Sequence, residues 1–436
     1  MSQINVKYRG PLRGEINPPP DKSISHRAIM LSSLAEGKSV VRNFLHAEDP
    51  MRTLEAFRQM GIEIEESGQP SAFSSQQKDV IIIGKGLRGL SKPSGTIDCG
   101  NSGTTMRLMS GVLSGQPFSA TLTGDAFLLK RPMQRIIKPL SAMGAEISAE
   151  EGGYPPLKIK GGRLRPIQYN SPVASAQVKS AILLAGLYCG GVTTVTEPAK
   201  SRDHTERMLT ARGVDVRVNG PEVSVRGIAA LTPSDMTVPG DLSSAAFFIV
   251  AGLIVPDSEI LVRNTGINPT RSGMITILKK MGADILLENK REVSGEPVAD
   301  MVVKYSPLRG IDIDGRAVLE SIDEFPIICI AASRAEGTTR ITGAGELRVK
   351  ESDRIAAMAS ELSKLGVAVE EREDGLVIGG REQFQSATVQ SHGDHRVAMS
   401  LAVAGLSTEH EITVSDTACI NTSFPGFMEL VESLRQ

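Results

Sequence analysis

Seven cations are set apart by their neighbours. Lys22, Arg27, Arg131, Arg202, Lys350, Arg354 and Arg396 each lie at or beside a stretch that reads as the start of a helix. The first turn of a helix offers unpaired backbone N–H groups and the positive end of the peptide dipole, so anions settle there. Arg adds a planar fork for phosphate or carboxylate oxygens, and Lys adds a point charge. In Pro20-Asp21-Lys22-Ser23-Ile24-Ser25-His26-Arg27 the proline stiffens the approach, Asp21 can cap, and Lys22, Ser23 and Arg27 fall in the opening turns. In Gly100-Asn101-Ser102-Gly103-Thr104 small residues let a phosphate or carboxylate approach the backbone. That loop has neither the Gly-Lys-Ser/Thr of a P-loop nor GxGxxG, which argues against ATP and NAD. Arg131 precedes Pro132, whose sterics keep it extended and outside the helix that follows. Ser175-Ala176-Gln177 opens a further helix and supplies neutral hydrogen bonds.

Two carboxylates accompany these cations. Asp323 stands in Ile322-Asp323-Glu324 at the mouth of an apolar helix, as an N-cap or as a general base aimed at a substrate hydroxyl. Glu351 lies between Lys350 and Arg354; a helix started by Ser352 or an earlier polar residue puts those two cations on one face. The plain alternative for this stretch is a solvated helix laced with ion pairs. His392 and His395 are three apart, but no third ligand of matching spacing joins them, and no metal site is expected. Cations and helix starts converging on one cleft suit small, multiply anionic ligands, with Asp323 and Glu351 available for proton transfer.

The elements that carry these residues repeat. An apolar, Ala-rich helix running into a β-branched strand occurs at Ala28–Val41, Met106–Leu122, Ser244–Val262, Ile327–Ile341 and Val397–Val414, and again from Lys179. A second phrase, an amphipathic helix closing on Met-Gly or Leu-Gly before a short strand, occurs at Gly61, Gly144, Gly282 and Gly366, with a weaker copy at Gly213. Each of these glycines sits where a helix C-cap wants positive φ. The phrases alternate at a period of roughly 70 to 85 residues. The last helix, Phe427–Leu434, has no strand after it, and Ile4–Tyr8 is placed to supply one. This organisation predicts a discontinuous domain, residues 1–20 plus 241–436, interrupted by an inserted domain, residues 21–240. The crossings are expected at Asn17-Pro18-Pro19-Pro20 and in Pro233–Asp241, and Ser67–Gln77 reads as a polar surface loop.

Composition narrows the function classes. At 436 residues the chain exceeds one ordinary core. Lys+Arg 48 against Asp+Glu 50, with no Trp and 4% aromatics, offers neither the charge nor the stacking surface for nucleic acid. Four scattered Cys fit a reducing compartment, and the absence of a long apolar run or signal segment predicts a soluble, cytoplasmic protein without membrane contact.

Together these stretches, with Leu347–Arg354 and Asp394-His395-Arg396, resemble the 5-enolpyruvylshikimate-3-phosphate synthase family over essentially the whole length. The resemblance implies an α/β fold of two globular domains, each of three βαβαββ repeats, the inside-out barrel of enolpyruvyl transferases with a double-crossover hinge. It implies transfer of the enolpyruvyl group of phosphoenolpyruvate to the 5-hydroxyl of 3-phosphoshikimate, with no metal or organic cofactor and a monomeric chain. It places Lys22, Ser23, Arg27, Ser175, Ala176, Gln177, Arg202, Asp323 and Lys350 on 3-phosphoshikimate. It places Lys22, Asn101, Gly103, Arg131, Gln177, Arg354 and Arg396 around phosphoenolpyruvate, with Asp323, Glu351 and Lys22 catalytic. Two departures, Thr422 where many relatives carry Lys and Ala176 where some carry Ser, resemble the class II branch, whose members often tolerate glyphosate; Gly103 is retained. The rival enolpyruvyl transferase acting on UDP-N-acetylglucosamine carries a catalytic Cys in its mobile loop, and the matching region Thr123–Met133 has none. A non-catalytic phosphometabolite-binding protein is the other alternative, against which Asp323 and Glu351 speak.

Overall fold

The helix Lys22–Leu34 shows how local chemistry starts each element. Asp21 is extended at φ −60, ψ 120, and its Oδ1 accepts from Ile24 N at 2.8 Å. Ser102, Ser175, Asp241 and Asp394 cap Gly103–Ser114, Ala176–Gly186, Leu242–Ile254 and His395–Leu406 in the same way. These helices are buried almost all round, which their Ala, Gly and Ser content permits. Their buried serines return the hydroxyl proton to the preceding turn, as Ser110 Oγ does to Met106 O at 2.7 Å.

The computed structural model describes residues 2–71, 74–228 and 230–435. The chain divides into two units, one of Met1–Pro19, Pro239–Glu292 and Pro297–Gln436, the other of Pro20–Val238 with Val293–Glu296. The assignment of Val293–Glu296, the turn between two strands, to the inserted unit has no sign in the sequence. It follows from tertiary bonds: Ser294 Oγ accepts from Thr237 N at 2.9 Å, and Glu296 meets His204 at 2.7 Å. Each unit has its own apolar core.

Among the described residues five four-stranded sheets share one plan, and a sixth, of three strands, keeps its first three positions. Ile97–Asp98 runs parallel to Ser119–Thr123, which pairs antiparallel with Tyr154–Lys160, and that pairs antiparallel with Glu146–Glu150. Gln168–Asn170, Val192–Thr196, Glu222–Arg226 and Val216–Asn219 repeat it. Sequence-distant strands finish the sheets: Met236–Thr237 runs parallel to Glu36–Arg42, and Gln3–Val6 pairs antiparallel with Ile412–Ser415. In the inserted unit Lys22–Leu34, Gly103–Ser114 and Ala176–Gly186 pack together; in the other unit Leu242–Ile254, Phe325–Ser333 and His395–Leu406 do so. The second phrase of the repeat closes as its glycines demand, with φ of +83 at Gly61, +109 at Gly144, +81 at Gly213, +98 at Gly282 and +79 at Gly366.

Two readings of local structure are corrected. The expected loop Ser67–Gln77 lies largely in the paired strands Glu63–Ser71 and Ser74–Lys85, residues 72 and 73 being outside the described residues. Polar residues here extend a hairpin because the ladder satisfies their backbones whatever the side chains are. The helix expected to carry Lys350 starts at Arg354, since Asp353 and not Ser352 caps it, accepting from Ala356 N at 3.0 Å. Lys350 is extended at φ −82, ψ −152, so it does not share a helical face with Arg354. Among the described residues no helix is long and apolar enough to cross a membrane.

Candidate active site

The inserted unit gathers one set of the singled-out residues, and hydrogen bonds between helix N-termini hold them. His26 Nδ1 meets Thr53 Oγ1 at 2.7 Å, and Thr53 meets Thr105 at 2.8 Å, joining the first turn of Lys22–Leu34 to that of Gly103–Ser114. Arg107 Nη1 donates to Gln177 Oε1 at 2.7 Å and Gln177 Nε2 to Thr104 Oγ1 at 2.9 Å, joining Gly103–Ser114 to Ala176–Gly186. Arg27 closes the group: it donates to Thr205 Oγ1 at 2.6 Å, Ser180 Oγ at 2.8 Å and Ser23 O at 2.9 Å. Lys22, Ser23, Arg27, Gly103 and Gln177 are thereby brought to one region.

Arg131 is extended before Pro132 as its sequence predicts, and its Nη2 donates to Asn101 Oδ1 at 2.6 Å. Asn101 in turn donates from Nδ2 to Asp125 Oδ2 at 3.0 Å, which fixes the amide's orientation. A Cβ at Gly103 would lie 2.6 Å from Arg107 Nη1 and 3.4 Å from Arg131 Nη1, so a larger residue there would displace the tips of these guanidinium groups. Lys22 Nζ pairs with Asp49 Oδ2 at 3.1 Å. Cations and carboxylates both act here. Burial, with Lys22 and Arg27 beside it, holds the His26 imidazole well below its usual range and so neutral. Burial, together with Arg202, pulls the Arg27 guanidinium down to about 10, against the pull of Glu206 and Asp21. The Lys22 and Arg27 charges that oppose a proton on His26 would favour a bound anion.

The other unit carries a second set, built on Arg354. This guanidinium is buried at the start of Arg354–Lys364. Its Nε donates to Asp394 Oδ2 at 2.8 Å, its Nη2 to Glu351 Oε2 at 2.9 Å, and its Nη1 lies 3.5 Å from Asp323 Oδ1. Burial disfavours the Arg354 charge, but Asp394, Glu351 and Asp323 outweigh it and raise its pKa above the ordinary value. Asp323 is ringed by cations, with Arg396 Nη2 at 3.8 Å and Lys350 Nζ at 4.0 Å besides Arg354. Arg396 Nη1 also donates to Asp323 O at 3.1 Å.

The N-cap role for Asp323 does not hold. It lies in the single turn Ile322–Glu324, and Glu324 occupies the cap position of Phe325–Ser333 without a side-chain bond. The carboxyl expected between Lys350 and Arg354 is bound to Arg354, while Lys350 faces Asp323. His392 Nε2 meets Glu361 Oε1 at 2.8 Å, and among the described residues no group of three candidate ligands could hold a metal ion. Thr422, the departure near the C-terminus, ends a short turn by donating to Cys419 O at 2.8 Å.

Asp394 is the residue the sequence reading passed over. It is fully buried, caps His395–Leu406 through Arg396 N at 2.9 Å, and takes two bonds from Arg354. An Asp directly before an apolar helix was the available signal, but it indicates a cap and not a partner forty residues upstream. Asp49 was missed because no motif surrounds it in its helix, and Arg107, just after the loop at residues 100–104, because nothing local points to its distant partner Gln177.

Comparison with known proteins identifies the family. The family model for EPSP synthase (3-phosphoshikimate 1-carboxyvinyltransferase) matches residues 6–431. The chain is 53% identical to a 3-phosphoshikimate 1-carboxyvinyltransferase of Citrifermentans bemidjiense, with 100% of both chains covered. It is 55% identical to that of Syntrophotalea carbinolica, covering 99% of this chain and 98% of the other. A solved structure of EPSP synthase from Acinetobacter baumannii is similar at a TM-score of 0.88 and 48% identity, over 99% of this chain and 98% of that one. Two sets of cations at helix starts, two carboxylates on one buried arginine and a full-length match lead to one conclusion: the chain belongs to the EPSP synthase (3-phosphoshikimate 1-carboxyvinyltransferase) family.

Proposed function

We propose that the chain transfers the enolpyruvyl group of phosphoenolpyruvate to the 5-hydroxyl of 3-phosphoshikimate, releasing phosphate, as a step in the shikimate route to aromatic compounds. The observation that carries the residue assignment is the Arg354 guanidinium, which holds Asp323 at one end and Glu351 at the other. A base and an acid oriented by one rigid fork suit an addition in which a proton leaves the attacking hydroxyl as another arrives at carbon.

In this reading Lys22, Ser23, Arg27, Ser175, Ala176, Gln177 and Arg202, with Asp323 and Lys350, hold 3-phosphoshikimate. Lys22, Asn101, Gly103, Arg131, Gln177, Arg354 and Arg396 surround phosphoenolpyruvate. Asp323 takes the 5-hydroxyl proton while that oxygen bonds to C2 of the donor. Glu351 delivers a proton to the methylene carbon, giving a tetrahedral intermediate with a methyl group. Phosphate then leaves C2, and loss of a methyl proton restores the double bond. The fixed cations then stabilise the departing phosphate without reorganising.

The reading uses no metal or organic cofactor, because the charge stabilisation is carried by side chains. It takes the working protein as a cytoplasmic monomer. The test is phosphate release from phosphoenolpyruvate with 3-phosphoshikimate as acceptor, repeated with UDP-N-acetylglucosamine and after exhaustive chelation. Turnover with the first acceptor alone, unchanged by chelation, is expected; release with the sugar nucleotide, or none with either, overturns the proposal.

A further inference from the structure

A buried carboxylate that the mechanism does not use lies behind the proposed acceptor residues. Glu197 follows the strand Val192–Thr196 and is almost completely buried. Its Oε1 accepts from Ser175 N at 2.8 Å, and Ser175 is the cap of Ala176–Gly186. Its Oε2 accepts from Ser201 Oγ at 2.8 Å and Ser201 N at 3.3 Å, immediately before Arg202. One side chain therefore ties together two segments that are far apart in sequence, each carrying residues assigned to the acceptor.

Lys179 keeps that side chain in place. Its Nζ lies 2.8 Å from Glu197 Oε2 and 2.8 Å from Glu206 Oε1, and it is itself buried. It also donates to Ser201 O at 3.4 Å. Two carboxylates on one ammonium leave an excess negative charge, and Glu206 acts on Arg27, which reaches Thr205 on the adjoining helix. An ionised carboxylate offers acceptor oxygens only, and both of its oxygens here face donors. A neutral amide in its place has one accepting and one donating end, so it serves one segment and opposes the other.

We propose that Glu197 is a positioning residue for the acceptor, setting the separation of the Ser175–Gln177 and Ser201–Arg202 segments through its two oxygens. This rests on the reading that those segments hold 3-phosphoshikimate. Glu197→Gln leaves Lys179 paired with Glu206, so no buried charge is orphaned and the fold is retained. Ser201→Ala removes only the hydroxyl leg and leaves Glu197 untouched, which keeps the test open if the first variant folds poorly. The experiment is steady-state kinetics with each substrate varied in turn, with Arg202→Ala alongside. For Glu197→Gln the KM for 3-phosphoshikimate is expected to rise about tenfold or more, with a clearly smaller rise in the KM for phosphoenolpyruvate, which shares only Gln177 of these segments. Ser201→Ala should move the same constant in the same direction by about twofold to threefold. Equal changes in both KM values, or none in either, overturn the proposal. If Arg202→Ala weakens the acceptor and Glu197→Gln does not, the positioning role alone fails. If Arg202→Ala leaves acceptor KM unchanged, the acceptor site itself is wrong and the proposal falls with it.

Discussion

Arg354, Asp394, Asp323 and Glu351 form a set in which each residue's job depends on the others. Replacing Asp323 by Asn removes the base and keeps the shape, so turnover should fall about a hundredfold to ten-thousandfold while substrate KM values move little. Steady-state kinetics on Asp323→Asn measures this, and a change confined to KM would make Asp323 a binding residue only. Asp394 does different work. Burial opposes its charge, but Arg354 counters burial and holds the carboxyl below the ordinary aspartate range. A depressed carboxylate pKa contributes stability that is present above the unfolded value and lost as pH falls through the folded one. Asp394→Asn keeps a capping side chain but strips Arg354 of its main partner, a loss of about 3–5 kcal/mol at neutral pH. Thermal melts of parent and variant should therefore differ widely at neutral pH and converge as pH drops below about 4. A constant gap across that range would show that Asp394 is not ionised in the folded protein.

Among the elements, the buried helices act as rigid mounts, and close approach makes them so. Gly111 lies in the middle of Gly103–Ser114, where a Cβ would stand 2.2 Å from Ala181 O on Ala176–Gly186. Backbone cannot yield as a flexible side chain can, so Gly111→Ala should cost about 1–3 kcal/mol by forcing the helices apart. The same displacement stretches the Arg107–Gln177–Thr104 bonds at the helix starts, so the variant should also bind substrates less tightly. Calorimetry and substrate titration on the one variant check both. A melting temperature equal to the parent's would contradict this packing argument.

For the molecule as a whole, the balance of 48 basic against 50 acidic residues hides an uneven distribution. Several of the singled-out cations are paired with carboxylates, Lys22 with Asp49 and Arg354 with Asp394, Glu351 and Asp323, so the field left over acts only on ligands close by. Both proposed substrates are multiply anionic. Raising ionic strength from about 0.02 M to about 0.5 M should therefore raise both KM values several-fold, with a smaller change in kcat. Kinetics in a non-coordinating salt series would show this, and salt-independent KM values would count against electrostatic capture.

Much of this was legible in the residues themselves, wherever the physics is local. Asp21 as a cap, the extended Arg131 before its proline and the positive φ of the Met-Gly and Leu-Gly glycines need only nearest-neighbour sterics and hydrogen bonding. Repeated phrases made the α/β plan legible too, since each phrase carries its own period. The rest depended on partners far away in sequence. That Asp323 faces Arg354 and Arg396, that Asp394 holds Arg354, that Glu197 ties Ser175 to Ser201, and that residues 293–296 belong with the inserted unit are all tertiary facts. A side chain's role at a site is set by the charges folded around it, and only the folded chain decides which those are.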